Sequence, residues 1–135
     1  MIPVLYILMR NDLDSLNPGK AMAQASHASN AFAFNAEPGY NVDEELFNAW
    51  QKSTPQGFGT VLVLSVNEAQ METAVKVAES FGVDKFPCDI IHDPTYPIID
   101  GEVCHHIPLN TCGYIFGDKD DILLQSIVGN FELYG

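Results

Sequence analysis

The sequence predicts an α/β fold, a three-layer α/β/α sandwich around a four-stranded mixed β-sheet, and three observations carry that expectation. An unbroken apolar run at residues 2–9 has the character of a central strand buried on both faces. Capped helical segments alternate with β-type runs in the order βααβαββα. Few residues separate these units, so one sheet covered by helices is the economical arrangement. A single domain over residues 1–135 follows from length, since 135 residues with 47% hydrophobic content bury an ordinary core without staples.

The first strand gives way to Arg10 and the turn-rich Asn11-Asp12-Leu13-Asp14-Ser15-Leu16. Ligands of open α/β sheets bind beyond the carboxyl ends of strands, so Arg10, Asp12 and the start of the next helix are expected on one rim, where an anion could sit. Asn17 is placed to accept from free first-turn amides, and Pro18 fits the first helical position because its missing N–H costs nothing there. The helix runs to about residue 35 and stops at Pro38-Gly39. Residues 43–52 make a short second helix carrying Leu46, Phe47 and Trp50, with Trp50 assigned to the core. Residues 60–66 are the next strand. Asn67 and Gln70 form a capping-box variant opening a third helix, which ends at Phe81 with Gly82 as its stop. Met71, Ala74, Val75, Ala78 and Phe81 fall on one stripe of it, facing the sheet. Residues 86–93 read as a third strand, with Pro87 marking an edge or a beginning. Asp100-Gly101 between apolar pairs is the strongest short hairpin signal and predicts a small hairpin over 96–104, separate from a fourth strand over 111–116. Asp118 is expected to cap a last helix from about 119 to 128, acidic in its first turn, with Phe131 to Tyr134 packing behind it.

Eighteen acidic against six basic residues give a net charge of −12, and Arg10 is the sole arginine. Such a chain repels a phosphate backbone at long range, so a large nucleic-acid partner requires the six cations to gather on one face. Cys88, Cys104 and Cys112 are an odd number without Cys-x-x-Cys spacing and read as reduced thiols of a cytoplasmic protein. The opening apolar run lacks a basic leader and a cleavage site and is far short of the ~20 residues a bilayer demands, so no membrane association is expected. His92, Asp93, His105 and His106, with Cys88 and Cys104, alternate across strand faces instead of forming mirrored ligand pairs, so neither a metal nor another cofactor is expected. The sequence has no phosphate-binding Gly-x-x-x-x-Gly-Lys loop, no Gly-x-Gly-x-x-Gly fingerprint and no Gly-x-Ser-x-Gly elbow.

The chemistry concentrates between Asn17 and Ala28. At helical spacing Lys20, Gln24 and His27 lie in one line, beside a line of mostly small side chains, Ala21, Ala25, Ala28 and Phe32, that lets the helix approach a sheet closely. The polar line then stands on a rigid platform; the alternative is a solvated face beside a packing seam. Lys20 occupies the first turn, where the helix dipole disfavours a cation, and an anionic or carbonyl-bearing ligand would offset that cost. Its charge could stabilise negative charge developing in acyl transfer. Asp93, at the end of a buried strand, could orient or deprotonate a water at the same rim, or simply begin an Asp-Pro turn. Pro94 biases Asp93 away from the α region and brings Thr95 and Tyr96 to the cleft mouth, over which the Asp100-Gly101 hairpin could fold with His105 or His106.

Arg10-Asn-Asp-Leu13 followed by Gly19-Lys-Ala-Met-Ala-Gln-Ala-Ser-His-Ala28 resembles the signature of the type 2, archaeal and eukaryotic, peptidyl-tRNA hydrolases, a strand ending in Arg-x-Asp-Leu and a helix opening Gly-Lys-x-Ala-Ala-Gln-x-x-His-Ala. Trp50, the strand at 60–66, Asp93 and the Gly129-to-Leu133 end extend the likeness over nearly the whole chain. After Asp93 the family's Asp-Ala-Gly-x-Thr is replaced by Asp93-Pro-Thr-Tyr-Pro97, and the hairpin that follows is longer. The resemblance implies the same sandwich fold, a symmetric homodimer, and a hydrolase that cleaves the ester between a peptidyl or acyl group and tRNA. It carries Lys20 and Asp93 over as catalytic, Thr95 with altered spacing, and Gln24 and His27 as first-helix site residues. Arg10, Asp12, His105 and His106 join them as substrate-binding candidates from their placement. A second expectation, prompted by the −12 charge and the altered Asp93-Pro-Thr loop, is a divergent member that binds or degrades a smaller nucleotide-derived ligand.

Overall fold

The structure, a computed structural model, describes residues 1–82 and 84–135. Its elements are β1 (Pro3–Arg10), α1 (Pro18–Asn35), α2 (Glu44–Gln51), β2 (Val61–Val66), α3 (Glu68–Ser80), β3 (Cys88–Asp100), β4 (Val103–Asp118) and α4 (Ile122–Val128). They build the expected α/β sandwich on a four-stranded sheet of order β2-β1-β4-β3. β1 pairs parallel with β2 and antiparallel with β4, and β3 lies antiparallel to β4, so the sheet is mixed.

Alternation along β1 creates the layers, because successive side chains of a strand point to opposite faces. Leu5, Ile7 and Met9 face α1 and α2, where Phe32, Phe47, Trp50 and Phe116 join them. Val4, Tyr6 and Leu8 face α3 and α4, against Met71, Val75 and Leu124. The first core is aromatic at its centre: Phe32 stacks on Phe116 at 4.6 Å and meets Trp50 edge-on at 5.4 Å. Trp50 is buried as expected, and its indole N–H donates to the carbonyl of Thr60 at 2.8 Å.

Local signals set the helix starts. Asn17 Oδ1 accepts from Lys20 N at 2.9 Å, and both halves of the Asn67–Gln70 capping box are formed. The α3 stripe buries Met71, Ala74, Val75 and Ala78. Phe81 departs from the stripe: the helix ends at Ser80, and the ring lies 40% exposed, edge-on to Phe86.

Two expectations for the second half are corrected. β3 does not stop at Asp93, and no separate small hairpin follows; β3 and β4 form one long ribbon whose tip is Gly101-Glu102, with Asp100 still paired to Val103. Proline ends a central strand because it removes a ladder donor, but β3 is the sheet edge and takes up Pro94 in a register irregularity. The last helix begins at Ile122, not near 119, and has no acidic residue in its first turn. Pairing of Pro3 with Asp118 extends β4, and Asp118 Oδ1 accepts from the N–H groups of Ile2 and Asp120 while Asp121 takes over as cap.

The C-terminal residues lie along the outer edge of β2. Ser65 N donates to the Glu132 carbonyl and Tyr134 N to that of Val63, both at 2.8 Å. No helix among the described residues is long and apolar enough to cross a membrane.

Candidate functional site

β1 and β4 stay paired as far as Met9 and Cys112. Beyond that point the β3–β4 ribbon continues alone and leans over the first turns of α1, and two irregularities in its ladder aim the polar groups. Ile91 pairs with Cys112 but His92 with Asn110, which leaves Thr111 as an extra residue on β4; Asp93 pairs with Leu109 but Tyr96 with Ile107, which leaves one extra residue on β3. Bulges of this kind redirect side chains. The first turns Thr111 towards α1, and the second keeps both Asp93 and Tyr96 on that side.

A chain of three polar groups results. The hydroxyl of Thr111 donates to Gln24 Oε1 at 2.7 Å, and Gln24 Nε2 donates to Asp93 Oδ2 at 2.7 Å. Thr111 is fully buried and Gln24 nearly so, at 0% and 3% exposure, so the bond between them is shielded from water, while the bond to Asp93 lies at the margin of the core. The ionised carboxylate can only accept, which fixes the amide with its NH2 towards Asp93 and leaves Oε1 to accept from the Thr111 hydroxyl. The thiol of Cys112 adds a long donor contact of 3.5 Å to the Gln24 carbonyl. Asp93 Oδ1 accepts from the Thr95 N–H at 2.9 Å and from its hydroxyl at 3.4 Å. Burial is the largest single influence on Asp93 and acts upward; the Thr95 N–H, the Gln24 amide and the charge of His27 together outweigh it, so the carboxyl sits below the ordinary aspartate range. It is an anion at neutral pH.

Lys20, one turn before Gln24 on the same face, projects the other way along the helix end. Its Nζ donates to the Pro97 carbonyl at 2.7 Å and lies 5.1 Å from the centre of the Tyr96 ring. Tyr96 is fully buried, and its hydroxyl shares a 3.0 Å hydrogen bond with Ser15. Between α1 and the edge strand β3 opens a cleft of about 440 Å3, bordered by His27, Ala31, Asp93 and Thr95. The small side chain at Ala31 leaves the room, and the carboxylate stands at its wall.

Lys20, Gln24, His27, Asp93 and Thr95 are thus brought to one end of α1. Arg10 and Asp12 are not part of this group. Arg10 alternates to the α3 face of the sheet, where its buried guanidinium meets Asp12 and Glu68 at 2.8 Å each and the Asn110 carbonyl at 3.0 Å. The same hydrogen bond holds the Asp12 carboxyl below its usual range, and Asp12 Oδ2 accepts from Glu68 N at 3.1 Å, tying the end of β1 to the start of α3. The two ribbon histidines separate. His105 pairs with Ile98 on the α1 side but is exposed, and His106, opposite Pro97, faces away with Nε2 4.0 Å from Cys104 Sγ. Burial pushes the Cys88 and Cys112 thiols up to about 12, so neither is a ready thiolate.

Thr111 escaped the sequence reading, as did the docking of Tyr96 and Pro97 on Ser15 and Lys20. A testable result follows from the first. Thr111→Val keeps shape but leaves Gln24 Oε1 without its buried donor and the amide less firmly held against Asp93, and a weakened donor to the charged form raises a carboxyl pKa. The acid limb of any Asp93-dependent activity is expected to move to higher pH, and Thr111→Ser to restore it; a pH–rate profile identical to wild type in Thr111→Val would show the hydroxyl idle.

A comparison with curated proteins found no match. The family model described as peptidyl-tRNA hydrolase PTH2 matches residues 3–134, a span that includes every strand and helix and all the polar groups gathered at the end of α1. With nearly the whole chain matched, the protein belongs to the peptidyl-tRNA hydrolase PTH2 family.

Proposed function

We propose that this chain, acting as one cytoplasmic domain, hydrolyses the ester that joins the carboxyl end of a peptide to the ribose of tRNA. The observation that carries this reading is the anchored Asp93 carboxylate, ionised and open to a cleft, with Lys20 one helical turn before the Gln24 that holds it. Its lone pairs towards Gln24 and Thr95 are occupied, which fixes the remaining ones towards the cleft. A water held there gives a proton to Asp93 as its oxygen bonds to the ester carbon. The carbonyl oxygen gains negative charge, which Lys20 stabilises at the helix N-terminus. The bond from carbon to ribose oxygen then breaks, and that oxygen takes up the proton as Asp93 returns to its charged form. Thr95 holds the carboxylate through its N–H, and His27 borders the bound group.

The smaller-substrate reading has one observation in its favour: Arg10 is engaged by two carboxylates and Lys20 by the Pro97 carbonyl, so neither stands free for a phosphate backbone. Parallel assays on an N-acetylaminoacyl-tRNA and on an N-acetylaminoacyl adenosine ester decide between them. Wild-type chain is expected to release the acyl group from the tRNA substrate. Replacing residues 98–104 by a tight turn is expected to change the ratio of the two rates, because the ribbon overhangs α1. No turnover of either ester would sink the hydrolase reading, and an unchanged ratio would remove the ribbon from selectivity.

A homodimer is part of the same proposal. Light scattering at micromolar concentration is expected to return twice the 14.8 kDa chain mass, and a monomer there would discard it.

A further inference from the structure

The Lys20 side chain raises a physical problem that the ribbon resolves. Lys20 and Gln24 are successive on one helix face, about 6 Å apart along the axis, and Gln24 touches Asp93 directly. A lysine is long and flexible, and a half-buried carboxylate one turn away is its natural partner. An ion pair between them would cancel both charges where the reaction needs each free. Among the described residues no such pair exists; Nζ is drawn instead to the Pro97 carbonyl and the Tyr96 ring.

We propose that Tyr96 is a positioning residue of the hydrolytic site: its ring and the adjoining Pro97 carbonyl hold the Lys20 ammonium away from Asp93, so that cation and carboxylate act on the substrate as two separate groups. Several observations support the assignment, which rests on the hydrolase reading for its catalytic meaning. The ring is fully buried and the ammonium that faces it is partly so, which strengthens cation–π attraction over that of an exposed pair. The Ser15 hydrogen bond at the far end of the ring fixes its plane. The extra residue between Asp93 and Tyr96 puts both on the α1 side, one over Gln24 and the other over Lys20. The ammonium keeps two protons beyond the one given to Pro97, enough to meet an ester oxygen. The element responsible is the Asp93-Pro-Thr-Tyr-Pro97 stretch of β3.

The test compares Tyr96→Phe, which keeps the ring, with Tyr96→Leu, and with Tyr96→Met as a second ring-free variant whose adaptable side chain fills the core if leucine does not fold. The first measurement needs no activity: the carboxyl carbon of Asp93 is followed through an NMR pH titration. The charged group facing it is His27 from α1, with Gln24 and the Thr95 N–H and hydroxyl as neutral donors. Without the ring, Lys20 collapses onto Asp93, and an added cation lowers a carboxyl midpoint. The expected result is a midpoint at lower pH in the ring-free variants and an unchanged one in Tyr96→Phe. The second measurement is kinetic: kcat on N-acetylaminoacyl-tRNA is expected to fall at least tenfold without the ring, with KM nearly constant, and to stay within about threefold in Tyr96→Phe. A midpoint that stays or rises in folded ring-free variants overturns the positioning role whatever the rates do. A shifted midpoint with wild-type kcat overturns its catalytic importance. A wild-type chain inert on the ester overturns the hydrolase reading itself, a result the titration cannot mimic.

Discussion

Asp93→Asn is expected to lower kcat on a peptidyl-tRNA ester by about 100- to 10,000-fold, the range of a positioned proton acceptor. The amide cannot take the proton from water at any accessible pH, so the loss is not recovered by raising it. The substitution also carries a structural cost set by the polar chain behind it. Gln24 presents its NH2 to position 93 and its Oε1 to the Thr111 hydroxyl, and Thr95 N–H claims the other carboxylate oxygen. An asparagine that satisfies Thr95 must present its own NH2 to that of Gln24, donor against donor. Turning Gln24 over would make the Thr111 hydroxyl an acceptor and leave its proton only the long contact to Cys112 Sγ at 3.9 Å. One buried bond is lost in either case, about 1–3 kcal/mol. Urea unfolding should therefore show a modest loss of stability beside the large loss of rate. Turnover within threefold of wild type would remove Asp93 from the mechanism.

Lys20→Met is expected to lower kcat by about 100- to 1,000-fold, the scale of removing one group that stabilises an oxyanion, while KM moves little because the charge matters most as the carbonyl oxygen becomes negative. The sequence alone suggests a surface lysine that costs nothing to remove. The structure adds the bond to Pro97 and the Tyr96 ring, so a further loss of about 1 kcal/mol in stability is expected. Methionine keeps the aliphatic stem over Tyr96 and limits the loss to the charge. Steady-state kinetics paired with a denaturant midpoint separates the two effects, and unaltered kcat in a folded variant would end the assignment.

The features legible in advance are those encoded within a few residues. The apolar run of β1, the Asn17 cap and the Asn67–Gln70 box each depend on local spacing, and each stands where the sequence puts it. Gln24, His27 and Lys20 share a face because one helix carries them. The ribbon was misjudged because Pro94 is a breaker only in a strand bonded on both sides, and which strand is an edge is a property of the sheet. Thr111 was invisible for a related reason: its orientation comes from the mismatch of two ladders, and nothing around residue 111 records it. The direction of Arg10 was available from alternation along β1, where it follows the parity of Leu8, but its partner Glu68 lies in another element.

The segment lying along β2 bears on how copies of this chain avoid one another. The strand reads Val-Leu-Val-Leu-Ser-Val, uncharged, without proline and strongly β-forming, the composition that seeds intermolecular stacking when its edge is bare. The Glu132 carbonyl and the Tyr134 N–H occupy that edge. At the opposite border Asp89 turns its carboxylate onto the Ile90 N–H at 2.8 Å and denies β3 a donor to a stranger. With the β2 margin covered and one donor of β3 withdrawn, the sheet offers its neighbours less open edge, and the acidic surplus of the chain adds charge repulsion between copies.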